Sequence, residues 1–213
     1  MDKIYMTGLD TNTEQLILKA ARKIFTNKGF DGARMQEIAN EAGINKALLH
    51  YYFRSKDKLF EAIFKDVLNT VFPKIIAVLM SQLSLFEKIE KVSFNYIEML
   101  KQNPDLAIFV FHEISRNPER LVGNFKNVGA DFEIIKAQII KEADAGIIIP
   151  VKAEHLIANL ISLCVFPFIA RPVFMGMAGM NQEEFDRFLE ERKQVIPQTI
   201  IAALKKTGNE DSN

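Results

Sequence analysis

The sequence predicts an all-α protein. Apolar residues recur at three- and four-residue spacing through almost the whole chain, which is the period of an amphipathic helix. Helix punctuation is frequent, with Asn45, Ser55 and Asn181 placed as N-caps and Gly29 and Gly43 placed just past helix ends. No stretch alternates apolar and polar residues as a half-buried strand would. With 213 residues, 48% hydrophobic and 25% charged, the chain can bury one or two cores.

Taken in order, Thr11 and Glu14 have capping-box spacing and are expected to open the first helix. Its apolar face is Leu16, Ile17, Ala20, Ala21, Ile24 and Phe25, and Asn27-Lys28-Gly29 closes it. In the second helix Met35, Ile38, Ala39 and Ala42 fall on one face, and Gly43 ends it. Asn45 caps a third helix, Lys46 to Tyr52, with Leu49 and Phe53 turned toward a core. Ser55 caps the fourth, and Asp57 in its first turn suits the helix dipole. Leu59, Phe60, Ile63, Phe64, Val67 and Leu68 continue its apolar face until Pro73 breaks it.

Beyond Ser84, the residues Leu85, Phe86, Ile89, Val92, Tyr96, Met99 and Leu100 form one stripe ended by Asn103-Pro104. Leu106 to Ile114 is a short apolar helix, and Asn117-Pro118 is expected to start a single helix running toward Gly146. A strongly apolar helix follows from about Ala153, disturbed by Pro167 and Pro172, and Met175 to Met180 reads as a flexible connector. Asn181-x-x-Glu184 opens the last helix, with a kink expected at Pro197, and Lys205 to Asn213 is a polar tail expected to fray.

The second and third helices, joined at Ala42-Gly43-Ile44, make a helix-turn-helix pattern, in which the second helix enters a DNA major groove. Lys46 and Lys56 are expected at phosphates as point charges. Tyr51 and Tyr52 offer hydroxyls to the sugar-phosphate backbone. Asn45 and His50 can reach phosphate or base edges, and Arg34 can approach the phosphate crossing. Lys+Arg and Asp+Glu both count 27, yet residues 1–60 hold ten Lys/Arg against seven Asp/Glu. That sign suits a DNA reader at this end.

Gly29-Phe30, Ile38-Ala39, Ala42-Gly43-Ile44, Lys46, Leu49, Tyr52-Phe53 and Ser55-Lys56-Asp57-Lys58-Leu59 resemble the N-terminal signature of TetR-family transcriptional regulators. The resemblance covers roughly residues 11 to 60. It implies a ligand-responsive repressor that binds a pseudo-palindromic double-stranded DNA operator as a homodimer and is released by a small apolar effector. The matching DNA-facing positions are Arg34, Asn45, Lys46, Ala47, Leu48, His50, Tyr51, Tyr52 and Lys56. Ala33 and Arg34 stand where the family usually has Thr and Ser or Thr, and Ala47-Leu48 where Gly-Thr is frequent. The Leu48 side chain cannot donate a hydrogen bond to phosphate or base. With Ala33, it favours the alternative of an all-helical small-molecule binding protein that no longer reads DNA.

The expected division is a DNA-binding domain over 11–57 and an effector-binding and dimerisation domain over 58–206. Twelve of the seventeen Phe lie at or beyond Phe72. Phe94, Phe109, Phe125 and Phe132 are expected to converge on an apolar ligand, with Asn95, Tyr96, His112 and Arg116 as polar orienting groups. The apolar surface near 153–174 and 181–204 exceeds what one helix face needs, and an isologous four-helix dimer interface would bury it.

Other classes fare badly. The lone cysteine, Cys164, sits among apolar neighbours and reads as a buried thiol, which excludes an internal disulfide or a cysteine-based zinc site. There is no G-x-S-x-G, no phosphate-binding glycine loop, and the histidines His50, His112 and His155 are scattered. No enzyme activity, cofactor or metal is expected. The start lacks a signal-peptide core, and the longest apolar stretch, 156–170, falls short of the roughly 20 residues a spanning helix needs. The chain is therefore read as cytoplasmic, with no membrane partner.

Overall fold

The computed structural model describes residues 3–104, 106–116 and 118–205, without the side chains at 3–11, 67, 68, 70, 71, 109, 112, 116, 120 and 124. Among the described residues there are twelve helices and no strand. They are α1 (Lys3–Gly32), α2 (Met35–Glu41), α3 (Lys46–Tyr52), α4 (Lys56–Val71), α5 (Pro73–Leu79), α6 (Leu85–Gln102), α7 (Leu106–Arg116), α8 (Pro118–Asn127), α9 (Phe132–Asp144), α10 (Ala153–Ile169), α11 (Arg171–Ala178) and α12 (Gln182–Leu204). The chain divides into two compact units. One is Met1–Val71 with Ile108–Asn124, and the other is Phe72–Ala107 with Phe125–Asn213.

In the first unit the apolar faces meet as their periodicity requires. Ile17, Ala21 and Phe25 of α1, Ile38 and Ala39 of α2, Leu49 of α3, and Leu59, Phe60, Ile63 and Phe64 of α4 are all buried. Phe25 stacks on Phe30 at 5.7 Å, and both meet Phe60 edge-on at 5.2 and 5.3 Å. Each such pair adds about 0.5–1.5 kcal/mol beyond its burial. The first helix starts earlier than expected, at Lys3 rather than Thr11, and breaks at Gly29. No proline interrupts residues 3–14, and the single Gly8 costs only about 1 kcal/mol in a helix, so the capping pattern marks a permitted start that is passed over.

In the second unit α6, α10 and α12 pack on one another. Ile89, Val92, Ile97 and Leu100 of α6, Leu160, Cys164 and Phe168 of α10, and Phe185, Leu189, Ile196 and Ile200 of α12 are buried in this core. Pro73 opens α5 as its first residue, which ends α4 where expected. Capping boxes at Ser84/Glu87 and Asn181/Glu184 open α6 and α12.

Two sequence expectations are corrected here. The single helix expected from Asn117 toward Gly146 is two helices. Gly129 turns at φ 86, its N–H and that of Ala130 close α8 on the Lys126 and Phe125 carbonyls, and Asp131 caps α9 by accepting from Glu133 N at 2.9 Å. The supposed connector at Met175 to Met180 is largely α11, opened by Arg171-Pro172. α10 and α12 each run on through a proline, Pro167 and Pro197. Pro167 lacks the N–H that would satisfy the Leu163 carbonyl. Arg192 of α12 supplies the donor, with Nη2 at 2.6 Å from Leu163 O.

A buried polar network fastens the α5–α6 loop to α9. Lys88 is 2% exposed and donates to Leu79 O and Gln138 Oε1, both at 2.6 Å. Gln138 Nε2 donates to Leu83 O at 2.9 Å and to Glu142 Oε1 at 2.8 Å, and Leu85 N donates to the same carboxylate at 3.0 Å. Burial pushes the Lys88 ammonium below its ordinary range, and Glu142 works against that shift. Among the described residues no single helix is long and apolar enough to cross a membrane, and α10 with α11 is bent by 68°.

Candidate nucleic-acid interface

The site is built by α2, a tight turn and α3. Ala42 ends α2, and Gly43 follows at φ +69, where an L side chain would be strained. Gly43 N donates to Asn40 O at 3.1 Å and Ile44 N to Ala39 O at 2.9 Å, so two orphan carbonyls of α2 are closed. Asn45 then caps α3, its Oδ1 accepting from Leu48 N at 2.7 Å. Leu49 is fully buried and pins α3, while Leu48 and Tyr52 are half-buried. Lys46, Ala47, His50 and Tyr51 are left exposed on the other side, with Tyr51 76% exposed and edge-on to Tyr52 at 5.5 Å. Asn45 Oδ1 spends one lone pair on the cap, which leaves its amide N–H groups and one further acceptor site for a ligand.

Charge is sorted within this unit. Arg22 pairs with Asp66 at 3.0 Å, Lys23 with Glu41 at 2.6 Å, Lys28 with Glu37 at 2.9 Å and Lys58 with Glu61 at 3.0 Å. The hydrogen bond from Lys28 holds the Glu37 carboxyl below the usual carboxylate range, against some desolvation. Exposed pairs of this kind contribute about 0–1 kcal/mol each. Lys46, Arg34 and Arg54 are exposed and form no ion pair among the described residues. Arg34 stands just before α2, where its carbonyl accepts from Glu37 N and Ile38 N. Arg54 lies in the α3–α4 turn, and sequence reasoning counted its charge without giving it a role. The signal that would have found it is its place between the buried Phe53 and the α4 cap Ser55, which accepts from Lys58 N at 3.2 Å.

Lys56 departs from its expected role as a free phosphate charge. Its Nζ donates to Phe30 O at 2.7 Å and Ala33 O at 3.1 Å, lies 3.5 Å from Asp31 O, and sits 4.4 Å over the Phe30 ring. An ammonium has three N–H groups, and here each faces a carbonyl of its own chain.

Where their side chains are described, the residues expected to line an effector pocket have different surroundings. Phe94 and Asn95 line an open groove of about 1190 Å³ between α6 and α12, whose rim carries Glu90, Lys91, Glu190 and Lys193. Phe94 is 51% exposed, with Lys193 Nζ 4.8 Å from its ring centroid. Tyr96 and Phe125 instead meet Phe72 edge-on, at 6.3 and 5.3 Å. Burial pushes the Tyr96 phenol well above its usual range. Phe132, at the start of α9, is 40% exposed. Phe94 and Tyr96 diverge because neighbours one or two positions apart on a helix face different ways. The side chains of Phe109, His112 and Arg116 lie outside the described residues. No group of three or more His, Cys, Asp or Glu among the described residues could hold a metal.

Comparison with known proteins agrees with this geometry. Residues 17–63 match the family model for the N-terminal part of bacterial regulatory proteins of the tetR family. The chain is 26% identical over 179 residues to the biofilm operon icaADBC HTH-type negative transcriptional regulator IcaR of Staphylococcus aureus strain Newman, covering 82% of this chain and 92% of that protein. It is 20% identical over 196 residues to the nucleoid occlusion factor SlmA of Mannheimia succiniciproducens, covering 88% and 89%. In fold it resembles a TetR family transcription regulator from Marinobacter aquaeolei VT8, with TM-score 0.71 and 16% identity over 93% of this chain and 98% of that one. It also resembles the hemolysin II transcriptional regulator HlyIIR, with TM-score 0.64 and 23% identity over 92% and 99%. TetR-family regulators bind DNA operators as dimers and are not enzymes. The capped α3 and the family match over residues 17–63 lead to one conclusion: this part of the chain is similar to the N-terminal domain of bacterial regulatory proteins of the tetR family, and the chain as a whole resembles such regulators in fold.

Proposed function

We propose that this protein is a homodimeric repressor whose two α3 helices read a pseudo-palindromic operator and whose grip is released by a small apolar effector. The observation that carries the reading is α3 itself. Leu49 is wholly buried beneath it, and Lys46, His50 and Tyr51 stand outward on a rigid, capped helix. A single short helix covers few base pairs, so two are needed, roughly 34–36 Å apart on successive turns of the duplex. Exposed apolar side chains on α10 and α12, among them Ile161, Phe166 and Val195, supply a surface for the second copy. A stable interface covers roughly 800 Å² per partner. Repression is supported by the likeness to IcaR, a negative regulator. We assign the DNA-binding domain to about 11–57 and the effector and dimerisation domain to about 58–206, with α4 leaving the first as the lever of release. An effector moves that lever only by its differential affinity for the two settings.

The test is a mobility shift on the DNA upstream of the protein's own gene, with wild type and Lys46→Ala. The variant is expected to bind every duplex more weakly. The slope of log K against log salt should flatten by about 0.9 for each phosphate that the variant no longer neutralises. Wild-type protein that stays monomeric and ignores all duplexes at low salt would overturn this reading in favour of an all-helical small-molecule binding protein.

A further inference from the structure

We infer that Lys56 is a positioning residue, which fixes the start of α2 to the first turn of α4 and thereby sets how selectively α3 reads its operator. The inference rests on the DNA-reading proposal and goes beyond it. After the break at Gly29 the chain leaves α1 with carbonyls that have no helical partner. The C-terminal end of a helix carries partial negative charge and favours a cation. Lys56 answers this from a distance of 23 to 26 residues, with Nζ at 2.7 Å from Phe30 O and 3.1 Å from Ala33 O. The Phe30 ring beneath the ammonium is itself held by Phe25 and by Phe60 of α4.

Lys56 is the first residue of α4, and Ala33 immediately precedes Arg34, the residue before α2. One side chain therefore joins the base of α4 to the base of α2, and α2 carries α3 through the Gly43 turn. Base-edge contacts need the helix in one register, whereas phosphate contacts hold it on any sequence. Removing the tie should therefore cost specific binding more than non-specific binding. A phosphate ligand would lower both together and flatten the salt dependence.

The experiment compares wild type, Lys46→Ala, Lys56→Met, Lys56→Arg and Phe30→Leu. The probes are the best duplex that wild type selects from a random-sequence pool, and poly(dI-dC). Wild type that selects no duplex refutes the DNA-reading proposal itself. Given binding, Lys56→Met is expected to lower the ratio of selected to non-specific affinity by about tenfold, with an unchanged salt slope. Lys56→Arg should restore part of the ratio. Phe30→Leu keeps the charge and should lower the ratio in the same direction by a smaller factor, which keeps the test decisive should Lys56→Met not fold. Lys46→Ala should flatten the slope and leave the ratio near wild type. A flattened slope for Lys56→Met, or equal weakening on both probes, or an unchanged ratio in Phe30→Leu, overturns the inference.

Discussion

Both units cap helices locally, and the second adds hydrogen bonds across long stretches of sequence. In the first unit most caps come from within a few residues. Gly43 and Ile44 close α2 on Asn40 and Ala39, Asn45 caps α3, and Ser55 caps α4. In the second unit Ser84, Asp131 and Asn181 cap locally, and further backbone groups are satisfied by side chains far away in sequence. Arg192 reaches Leu163 O across 29 positions, Gln138 reaches Leu83 O across 55, and Glu142 receives Leu85 N across 57. Local closure produces a small module whose outward face is set by its own sequence. Distant closure makes the geometry of the larger unit depend on a few buried polar groups, each costly to leave unpaired.

That contrast can be broken most directly at Glu142. Glu142→Ala removes the carboxylate from a network that also holds the buried Lys88, so about 3–5 kcal/mol of stability should disappear. Urea unfolding measures it, and a drop below about 1 kcal/mol would show that the network is not what fastens α9 to the loop. Next is Arg192→Met, which strands the Leu163 carbonyl and should cost about 2 kcal/mol. Pro167→Ala returns an N–H to that carbonyl, so the arginine should matter less in that background. A double-mutant cycle reads the coupling, and additive effects would remove the assigned role. In the first unit Asn45→Ala should cost only about 1 kcal/mol, read as a modest fall in melting temperature.

The smallest effect at neutral pH belongs to Cys164. Burial pushes its thiol up to about 12 from an ordinary 9.0, with Arg192 and a hydrogen bond involving Ser93 pulling the other way. The folded state thus holds this proton more tightly than the unfolded chain does. Its stabilising contribution is complete below about pH 9 and is lost as pH climbs toward about 12. Cys164→Ala should flatten the alkaline limb of stability against pH. In the folded wild type the thiol should resist a disulfide reagent at pH 8 until urea is added; rapid labelling without urea contradicts its burial.

The sequence by itself determined α2, α3 and α4, the turn at Gly43, the cap at Asn45 and the outward face carrying Lys46, His50 and Tyr51. Each of these follows from relations between residues no more than about four apart. The break at Gly129-Ala130-Asp131 obeyed the same local rules, and its glycine and N-cap were legible although the apolar repeat was followed through them. Tertiary structure decided the rest. Lys46, Arg54 and Lys56 are three cations within eleven residues, and only folding made the last a tie to three carbonyls while the other two stayed exposed. Pro167 is tolerated because of an arginine on another helix, and Phe94 and Tyr96 part company because α6 faces α12 with one and Phe72 with the other. A side chain's chemistry is written in its own residue, but its role depends on which acceptor, ring or solvent lies within a few ångströms, and distant segments of the chain settle that.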